Sequence, residues 1–305
     1  MGKLALVFPG QGSQAESMGA DLAQKHDAAA EVYRRAGEFL GWSVAELSFS
    51  GPEERLNRTE FAQVALYVNS VAAMAVLSEM GIAGDFVSGH SLGEYSALAA
   101  AGAFTFEDGL RLVARRGEAM AAAAREHPGA MAAILGLEDR EVEEVCSRAG
   151  DVWPVNYNCP GQLVISGETE AVARAMAAAG EAGAKKTVRL PVSGSFHSPL
   201  MQEAADVMRE PLVAVEFRNP APPFISSISC AYEGAADLPE LLVRQIVSPV
   251  RWRQTVERLI ADGADRFLEV GNGKVLSGLI RRISKDVNAV NVSDAASLKK
   301  ALEII

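Results

Sequence analysis

Short apolar runs alternate with longer segments of helical periodicity at both ends of the chain. Residues 4–8 are continuously apolar up to Pro9-Gly10, which is typical of a buried strand in a parallel sheet. The alternation predicts an α/β core with a parallel sheet covered by helices on both faces. We predict strands at 4–8, 85–89, 224–229, 266–270 and 289–292, and helices at 16–40, 60–80, 92–101, 107–125, 198–213, 237–262, 274–284 and 295–304.

The middle of the chain has a different order of elements. We predict strands at 130–137, 152–157, 163–166 and 185–191, with helices at 139–149 and 169–180. This β-α-β-β-α-β order is typical of a ferredoxin-like unit. We therefore expect a small ferredoxin-like subdomain, residues 126–191, inserted into a large subdomain, residues 1–125 and 192–305. A ligand is expected in the cleft between the two.

The composition narrows the choice of partners. The chain has 305 residues, of which 49% are hydrophobic and 22% charged, and 29 Lys and Arg against 39 Asp and Glu give a formal net charge of −10. An acidic chain is not expected to have nucleic acid or an anionic membrane as its main partner. The three cysteines contain no Cys-x-x-Cys pair, so we expect neither a disulfide framework nor a metal site.

The beginning of the chain does not resemble a targeting segment. Its apolar run is too short for a signal peptide, because Pro9-Gly10 ends it. No apolar stretch is expected to be long enough to span a bilayer. These features predict a cytoplasmic protein, and we expect a monomer by default.

The strongest local signal for chemistry is Gly89-His90-Ser91-Leu92-Gly93. A Gly-x-Ser-x-Gly between a predicted strand and a predicted helix is typical of a nucleophile elbow, which exposes the serine at a helix N-terminus. The alternative is a tight turn in which the serine only caps the helix. The context favours Ser91 as a nucleophile.

Elimination among four histidines indicates the general base for Ser91. His26 lies in a polar helix, and His127 precedes Pro128 in a predicted loop. His90 adjoins the serine and is expected to pack beneath the elbow. His197 remains, in a loop of small residues where the chain re-enters the large subdomain. No acidic residue has a setting that marks it as the third member of a triad, and a backbone carbonyl could orient the histidine instead.

Acyl chemistry at a serine would also need an oxyanion hole built from backbone N–H groups. One donor is normally the residue after the nucleophile, here Leu92. A second could come from the glycine-rich turn at residues 9–14, which ends the first strand at the same sheet edge, although an ordinary turn is the alternative. Arg116 is offset from the helical side that carries Arg111 and Arg115. If Arg116 points inward, its buried charge needs an anionic partner such as a carboxylate. The alternative is that its side chain is solvated or paired within the protein.

Several motifs, taken in order, resemble the malonyl-CoA:acyl carrier protein transacylases of bacterial fatty-acid synthesis and the acyltransferase domains of polyketide synthases. They span residues 8–276 and together are highly specific. The motifs are Phe-Pro-Gly-Gln-Gly-Ser-Gln at 8–14, Gly-His-Ser-Leu-Gly-Glu-Tyr at 89–95, Arg-Gly at 116–117, Asn-Cys-Pro-Gly-Gln at 158–162, Phe-His-Ser at 196–198, Arg-Gln at 244–245, Val-Arg-Trp at 250–252 and Gly-Lys-Val-Leu at 273–276.

The resemblance implies a fold and roles for individual residues. The fold would be an α/β-hydrolase-like core with a ferredoxin-like insert. Ser91 would be the nucleophile and His197 its base, oriented by the backbone carbonyl of Gln245. The implied oxyanion-hole donors are the N–H groups of Gln11 and Leu92, and the implied acyl-pocket residues are Arg116 for the malonyl carboxylate with Gln63, Met120, Asn158 and Phe196 around it.

The resemblance also implies the reaction and its partners. Malonyl would pass from malonyl-CoA through an acyl-serine to the phosphopantetheine thiol of holo acyl carrier protein, with no metal or redox cofactor. Phe196, directly before the histidine, fits malonyl better than the branched methylmalonyl. Gly271-Asn272-Gly273, where Gly-Pro-Gly is common, and Ser195 depart from the family pattern without touching the implied chemistry.

Three alternatives and one difficulty remain. A discrete polyketide acyltransferase would share every residue above, a serine thioesterase would have no use for a buried Arg116, and a non-enzymatic scaffold would not need the Ser91–His197 pair. Carrier proteins are acidic, as this chain is, so docking would need a local basic surface. The candidates are Lys185, Lys186, Arg189, Lys274, Arg281, Arg282 and Lys285.

Overall fold

Two separate four-stranded sheets organise the residues that the computed structural model describes, 2–192 and 194–305. The first sheet is parallel, with strand order β2-β1-β7-β8, and the second is antiparallel, with order β4-β5-β3-β6. The strands are β1 Lys3–Phe8, β2 Phe86–Gly89, β3 Gly129–Leu135, β4 Val152–Cys159, β5 Gln162–Glu168, β6 Lys186–Arg189, β7 Ala264–Val270 and β8 Asn288–Val292. The α/β class and the parallel sheet are therefore confirmed.

Helices cover both sheets. They are α1 Ala20–Lys25, α2 Asp27–Leu40, α3 Val44–Ser50, α4 Glu53–Leu56, α5 Thr59–Glu79, α6 Gly93–Ala100, α7 Phe106–Glu126, α8 Asp139–Ala149, α9 Thr169–Glu181, α10 Gln202–Val213, α11 Leu238–Gln245, α12 Trp252–Ala261, α13 Val275–Ile283 and α14 Ala295–Leu302. A 3₁₀ turn, Pro199–Met201, precedes α10.

Helix α5 is long and apolar enough to cross a membrane by its length and composition. The expectation that no stretch is long enough was therefore wrong. In this fold 72% of its apolar window is buried, because α5 packs against α2 and α7 in the main hydrophobic core. A buried core helix has the same composition as a membrane span, so the length of the run is weak evidence for one.

The small subdomain has a core of its own. Strands β3 to β6 lie between residues 129 and 189, inside the predicted range 126–191, and α8 and α9 pack on the sheet around buried Val142, Ile165 and Val172. The order of its elements is consistent with a ferredoxin-like unit. The subdomain boundaries themselves stay a prediction.

Three of the predicted elements differ from those observed. Residues 16–40 form α1 and α2, because His26 has an extended backbone with φ −134° that ends one helix and begins the next. Residues 224–229 make only isolated bridges with Val87 and Tyr232 instead of a strand. Residues 237–262 form α11 and α12, with Pro249 in the break, where a proline disfavours continuing the helix. The short helices α3 and α4 were not predicted.

Candidate active site

A sharp turn from β2 into α6 presents Ser91. Its φ is +53°, a left-handed conformation that is rare for a residue with a side chain and that marks strain at functional turns. The flanking glycines are needed for the turn. A Cβ on Gly89 would lie 2.0 Å from the carbonyl carbon of Gly93, and a Cβ on Gly93 would lie 2.0 Å from the carbonyl oxygen of Phe8. The motif is thus a true elbow packed against the end of β1.

His197 accepts a hydrogen bond from the hydroxyl of Ser91, with 2.7 Å between Nε2 and Oγ. On the other side of the ring, Nδ1 lies 3.0 Å from the carbonyl oxygen of Gln245 and 3.2 Å from that of Ser248. Carbonyl oxygens only accept, so Nδ1 carries the proton and Nε2 is free to act as a base. The break between α11 and α12 supplies the Ser248 carbonyl, and the end of α11 supplies that of Gln245. The arrangement is a serine–histidine dyad oriented by backbone carbonyls.

The surroundings of His197 keep its ring neutral. The residue is only 5% exposed, and its burial, together with the nearby positive charge of Arg116, lowers the pKa of His197 to about 3. The neutral, proton-accepting form therefore predominates at neutral pH.

Arg116 points inward from α7 and is 1% exposed. Its guanidinium donates to Oε1 of Gln63 at 2.8 Å, to Oε1 of Gln245 at 3.0 Å and to Oγ of Ser91 at 3.2 Å. Arg115 beside it is half-exposed and pairs with Glu118 on the outer side of the helix. The guanidinium is buried beside Ser91 and bonded only to neutral groups, and its Nε has no partner among the described residues, so an anionic group of a substrate would find an unpaired cation there.

Close packing of two helices brings Gln63 and Arg116 together. At Gly117 of α7, an added Cβ would lie 2.9 Å from Cα of Glu60 and 3.2 Å from the carbonyl oxygen of Thr59. The glycine therefore lets α5 approach α7 at the level of the site. The amide nitrogen of Gln63 then donates to the sulfur of Met120 at 3.4 Å, which fixes the orientation of that amide.

Neither of the two backbone N–H groups predicted to form the oxyanion hole has a hydrogen-bond acceptor among the described residues. They belong to Gln11, on the turn after β1, and to Leu92, directly after the nucleophile. An added Cβ on Gly10 would lie 2.4 Å from the carbonyl oxygen of His90, so the turn after β1 lies tightly against the elbow. Backbone N–H groups without an acceptor can form an oxyanion hole when they lie beside a nucleophile.

The remaining predicted residues line the site at different depths. Phe196 is buried, 6% exposed, and packs beside Gly194 and Ala124 at the end of α7. Asn158, from the small subdomain, pairs through Oδ1 with Nε2 of His90 at 3.0 Å, so its contact with the dyad is indirect. The ring of His90 lies 5.8 Å from that of Trp252, and burial lowers the pKa of His90.

Two side-chain roles were missed by sequence reasoning. Gln245 was implicated through its backbone, whereas its amide also contacts Arg116 and Ser91. Glu94, on α6, is fully buried and accepts a hydrogen bond from Nε2 of Gln245. The sequence did contain a signal for Glu94, because it is the only acidic residue in the largely apolar helix α6. A buried charge in such a position needs hydrogen-bond or ionic partners.

The chain matches a known protein family over nearly its whole length. Residues 5–301 match the family model described as "Acyl transferase domain". The chain is 42% identical over 310 residues to the malonyl CoA-acyl carrier protein transacylase of Bacillus subtilis, covering 100% of this chain and 98% of the relative.

Solved structures agree in fold. An acyl carrier protein S-malonyltransferase from Vibrio cholerae superposes with a TM-score of 0.95 at 43% identity, covering 98% of this chain and 99% of that one. A malonyl-transacylase, PlMCAT, in complex with a type II polyketide-synthase acyl-carrier protein superposes with a TM-score of 0.96 at 43% identity, covering 99% of both chains.

Proposed function

Since the chain belongs to the acyl transferase domain family, with malonyl CoA-acyl carrier protein transacylases among its full-length relatives, we propose that it transfers malonyl from coenzyme A to the phosphopantetheine thiol of holo acyl carrier protein. One observation carries the proposal. A buried arginine donates to the hydroxyl of the serine that a neutral histidine is placed to deprotonate.

The first half-reaction forms malonyl-Ser91. Nε2 of His197 takes the hydroxyl proton as Oγ of Ser91 attacks the thioester carbonyl. The negative charge that develops on the carbonyl oxygen is held by the N–H groups of Gln11 and Leu92. When the C–S bond breaks, the coenzyme A sulfur takes the proton back from His197 and leaves as the thiol.

The second half-reaction reverses these steps with a different thiol. His197 takes the proton of the phosphopantetheine thiol as its sulfur attacks the ester carbonyl of malonyl-Ser91. When the C–O bond breaks, Oγ of Ser91 takes that proton. The chemistry balances without a metal or a redox cofactor, and coenzyme A and phosphopantetheine act only as carriers of the acyl group.

Arg116 explains why malonyl would be selected. The free carboxylate of malonyl can pair with the guanidinium, whereas acetyl leaves this buried cation without an anionic partner. Gln63, whose amide nitrogen donates to Met120, accepts a hydrogen bond from the guanidinium. Phe196, directly before His197, would disfavour a larger branched acyl group. A thioester with a simple acyl chain has no anionic group to pair with Arg116, which disfavours a thioesterase.

A discrete polyketide acyltransferase is the second candidate. The solved structure of a transacylase bound to a type II polyketide-synthase acyl-carrier protein favours this candidate. That transacylase has the same fold as this chain and is 43% identical to it in sequence. The two candidates share the acyl donor and differ only in the carrier that is loaded. The monomeric state and the cytoplasmic location stay predictions.

Intact mass spectrometry tests the proposal. After mixing with malonyl-CoA, the wild-type protein should gain a malonyl-sized adduct that holo acyl carrier protein discharges, and the Ser91→Ala variant should gain none. Acetyl-CoA should label the wild-type protein far more slowly. An adduct that decays to free malonate without a carrier would indicate a hydrolase instead, and an absence of any malonyl adduct would refute the proposal.

A further inference from the structure

Glu94 is a buried acid that the proposed mechanism does not use. It lies on the first turn of α6, three residues after Ser91, and is fully buried. Oε1 accepts hydrogen bonds from the hydroxyl of Ser226 at 3.0 Å, from the hydroxyl of Ser227 at 2.9 Å and from the backbone N–H of Ser227. Oε2 accepts a hydrogen bond from the amide of Gln245. Each oxygen of Glu94 is thus engaged by donors.

These contacts decide the charge of Glu94. The pKa of Glu94 is raised above its ordinary value because the group is buried, although the hydrogen bonds from Ser227, Gln245 and Ser226 act in the opposite direction. The backbone N–H of Ser227 faces Oε1 and the amide N–H of Gln245 faces Oε2, and both groups can only donate, so a proton on either oxygen would lie against a donor. The pocket therefore satisfies the ionised form, with charge-assisted hydrogen bonds.

Gln245 links this carboxylate to the reaction centre. Nε2 donates to Oε2 of Glu94 and also to the carbonyl oxygen of Ser91 at 3.0 Å, which uses both amide protons. Oε1 must then face the other way, where it accepts from Arg116 at 3.0 Å. An amide turned by 180° would place its NH₂ group against the guanidinium, donor against donor. The orientation of Gln245 thus depends on the acceptor at Glu94.

Glu94 also bears on Arg116 through charge. Burial lowers the pKa of Arg116, and Tyr95 and then the Glu94 carboxylate oppose that effect. A buried cation without a counter-charge is costly, and here the negative charge lies one amide away instead of in direct contact. The charge of the guanidinium is therefore compensated at a distance, and no carboxylate of the described residues binds it directly in place of a substrate carboxylate.

We propose that Glu94 is a positioning residue for the acyl pocket, which holds the Gln245 amide so that its oxygen faces Arg116 and which supplies the counter-charge of Arg116 until the acyl carboxylate binds. The proposal rests on the proposed function, because it takes malonyl as the group that Arg116 recognises. Glu94 does not touch the reacting atoms in this account and acts only through Gln245.

The Glu94→Gln variant is the direct test, because it keeps the shape and removes the charge. The new amide would put an NH₂ group near the donors of Gln245 or Ser227, so Gln245 should lose its preferred orientation. We expect kcat/KM for malonyl transfer from malonyl-CoA to holo acyl carrier protein to fall roughly 10- to 100-fold, the range for losing a hydrogen bond to a charged group. The loss should lie mainly in KM for malonyl-CoA, and acetyl-enzyme formation from acetyl-CoA should change less.

Glu269 provides the matched control. It is also fully buried, burial also raises its pKa, and it accepts hydrogen bonds from the backbone N–H groups of Leu276 and Ser277 at the start of α13. Glu269→Gln should lower the midpoint of thermal unfolding as Glu94→Gln does, while keeping the wild-type ratio of malonyl to acetyl labelling. If Glu94→Gln does not fold, Ser227→Ala removes a single donor to the carboxylate and should lower the same ratio several-fold.

The outcomes distinguish a failure of the positioning role of Glu94 from a failure of the proposed function. If wild type gains a malonyl adduct and Glu94→Gln, or Ser227→Ala in its place, keeps the wild-type malonyl-to-acetyl ratio, the positioning role is refuted and the proposed function stands. If Glu94→Gln and Glu269→Gln lower both labelling rates equally, the role of Glu94 is only structural and the inference is likewise overturned. If wild type gains no malonyl adduct, the proposed function itself fails.

Discussion

The Nδ1 atom of His197 lies against two backbone carbonyls instead of a carboxylate, and the effect of these surroundings should be measurable as a dependence on pH. Because burial and Arg116 hold its pKa near 3, the base should stay unprotonated well below the ordinary histidine value of about 6.5. We expect kcat/KM for formation of malonyl-Ser91 to show no acid limb between pH 7 and 5.5. A limb centred near pH 6.5 in stopped-flow acylation would contradict the assignment of a depressed pKa.

The same shift predicts a dependence of stability on pH. Between about pH 6.5 and 3 the unfolded chain binds a proton at position 197 that the folded chain does not, so the free energy of unfolding should fall as the pH falls through this window. One such proton gives a slope of at most about 1.4 kcal/mol per pH unit. Urea unfolding of wild type and His197→Gln at pH 7 and pH 5 should show a smaller decrease for the variant. His127→Gln, at an exposed position, is the control and should behave as wild type does.

Arg116 carries the predicted choice between acyl groups. Arg116→Ala should lower kcat/KM for malonyl-CoA at least about 100-fold, because the substrate carboxylate would enter a buried pocket without its cation. The rate with acetyl-CoA should fall much less, so the preference should narrow or invert. Arg115→Ala, one position away on the exposed side of the helix, should leave both rates unchanged. Equal losses with both donors would show that Arg116 supports the fold instead of selecting the acyl group.

Residues differ in how far the sequence alone could identify them. Ser91 is marked by its motif and His197 by elimination, since each argument needs only local context or a count of four histidines. Arg116 has no local mark, and only the resemblance to a family raised it above other helical arginines. The contact between Glu94 and Gln245 joins positions that are 151 residues apart, and no periodicity or spacing predicts such a pair.

At the scale of elements, the order of strands and helices followed from the hydrophobic pattern, while the breaks in the helices did not. The break after Gln245 is the one that matters for chemistry, because it turns the carbonyl oxygens of Gln245 and Ser248 toward His197. Pro249 was visible in the sequence as a signal for that break. Helix periodicity continues on both sides of the proline, so the prediction of mostly helix over 237–262 did not place the break.

The spacing of α5 and α7 is predicted to control the acyl pocket. Gly117→Ala would place a Cβ 2.9 Å from Cα of Glu60, so the two helices must move apart. Since Gln63 is on one helix and Arg116 on the other, we expect a lower malonyl-to-acetyl labelling ratio and a loss of roughly 1–3 kcal/mol in the free energy of unfolding. Gly180→Ala in α9, where an added Cβ meets nothing within 4 Å, is the control and should be neutral or stabilising by about 0.5–1 kcal/mol. Wild-type selectivity in Gly117→Ala would show that the pocket tolerates wider helix spacing.

At the scale of the whole molecule, the two subdomains are joined by direct contacts as well as by the chain. Two backbone hydrogen bonds connect the edge of β4 to the large subdomain. The N–H of Tyr157 donates to the carbonyl oxygen of Val250 at 2.9 Å, and the N–H of Val250 donates to the carbonyl oxygen of Val155 at 2.7 Å. Arg253 of α12 forms a salt bridge with Asp139 of α8 at 3.1 Å. Val250 closely follows Ser248, whose carbonyl orients His197, so the position of the small subdomain is tied to the geometry of the dyad.

The basic residues considered for carrier docking differ in their contacts within the structure. Arg281 donates to the carbonyl oxygen of Ala289 at 2.6 Å, and Arg282 donates to the side chain of Gln162 at 2.5 Å, so both are engaged in holding the fold. Lys185, Lys186 and Arg189 are exposed around β6 at the edge of the small subdomain, and none of them is in a salt bridge within the described residues. Lys274 and Lys285 are exposed as well. The three cations around β6 are close neighbours in the chain, so we take them as the surface to test for an acidic protein.

A charge reversal tests that surface. The double variant Lys186→Glu with Arg189→Glu should raise KM for holo acyl carrier protein about tenfold or more at low salt, because an acidic carrier would be steered away from the site. The rate of malonyl-Ser91 formation from malonyl-CoA should not change, since neither residue contacts the dyad. The effect should shrink as salt is added, because mobile ions screen exposed charges over about 10 Å at 0.1 M. Lys299→Glu with Lys300→Glu, on α14 of the large subdomain, makes the same change in net charge and is the control. If both double variants raise KM equally, the carrier responds to the total charge of the enzyme and the β6 edge is not its docking surface.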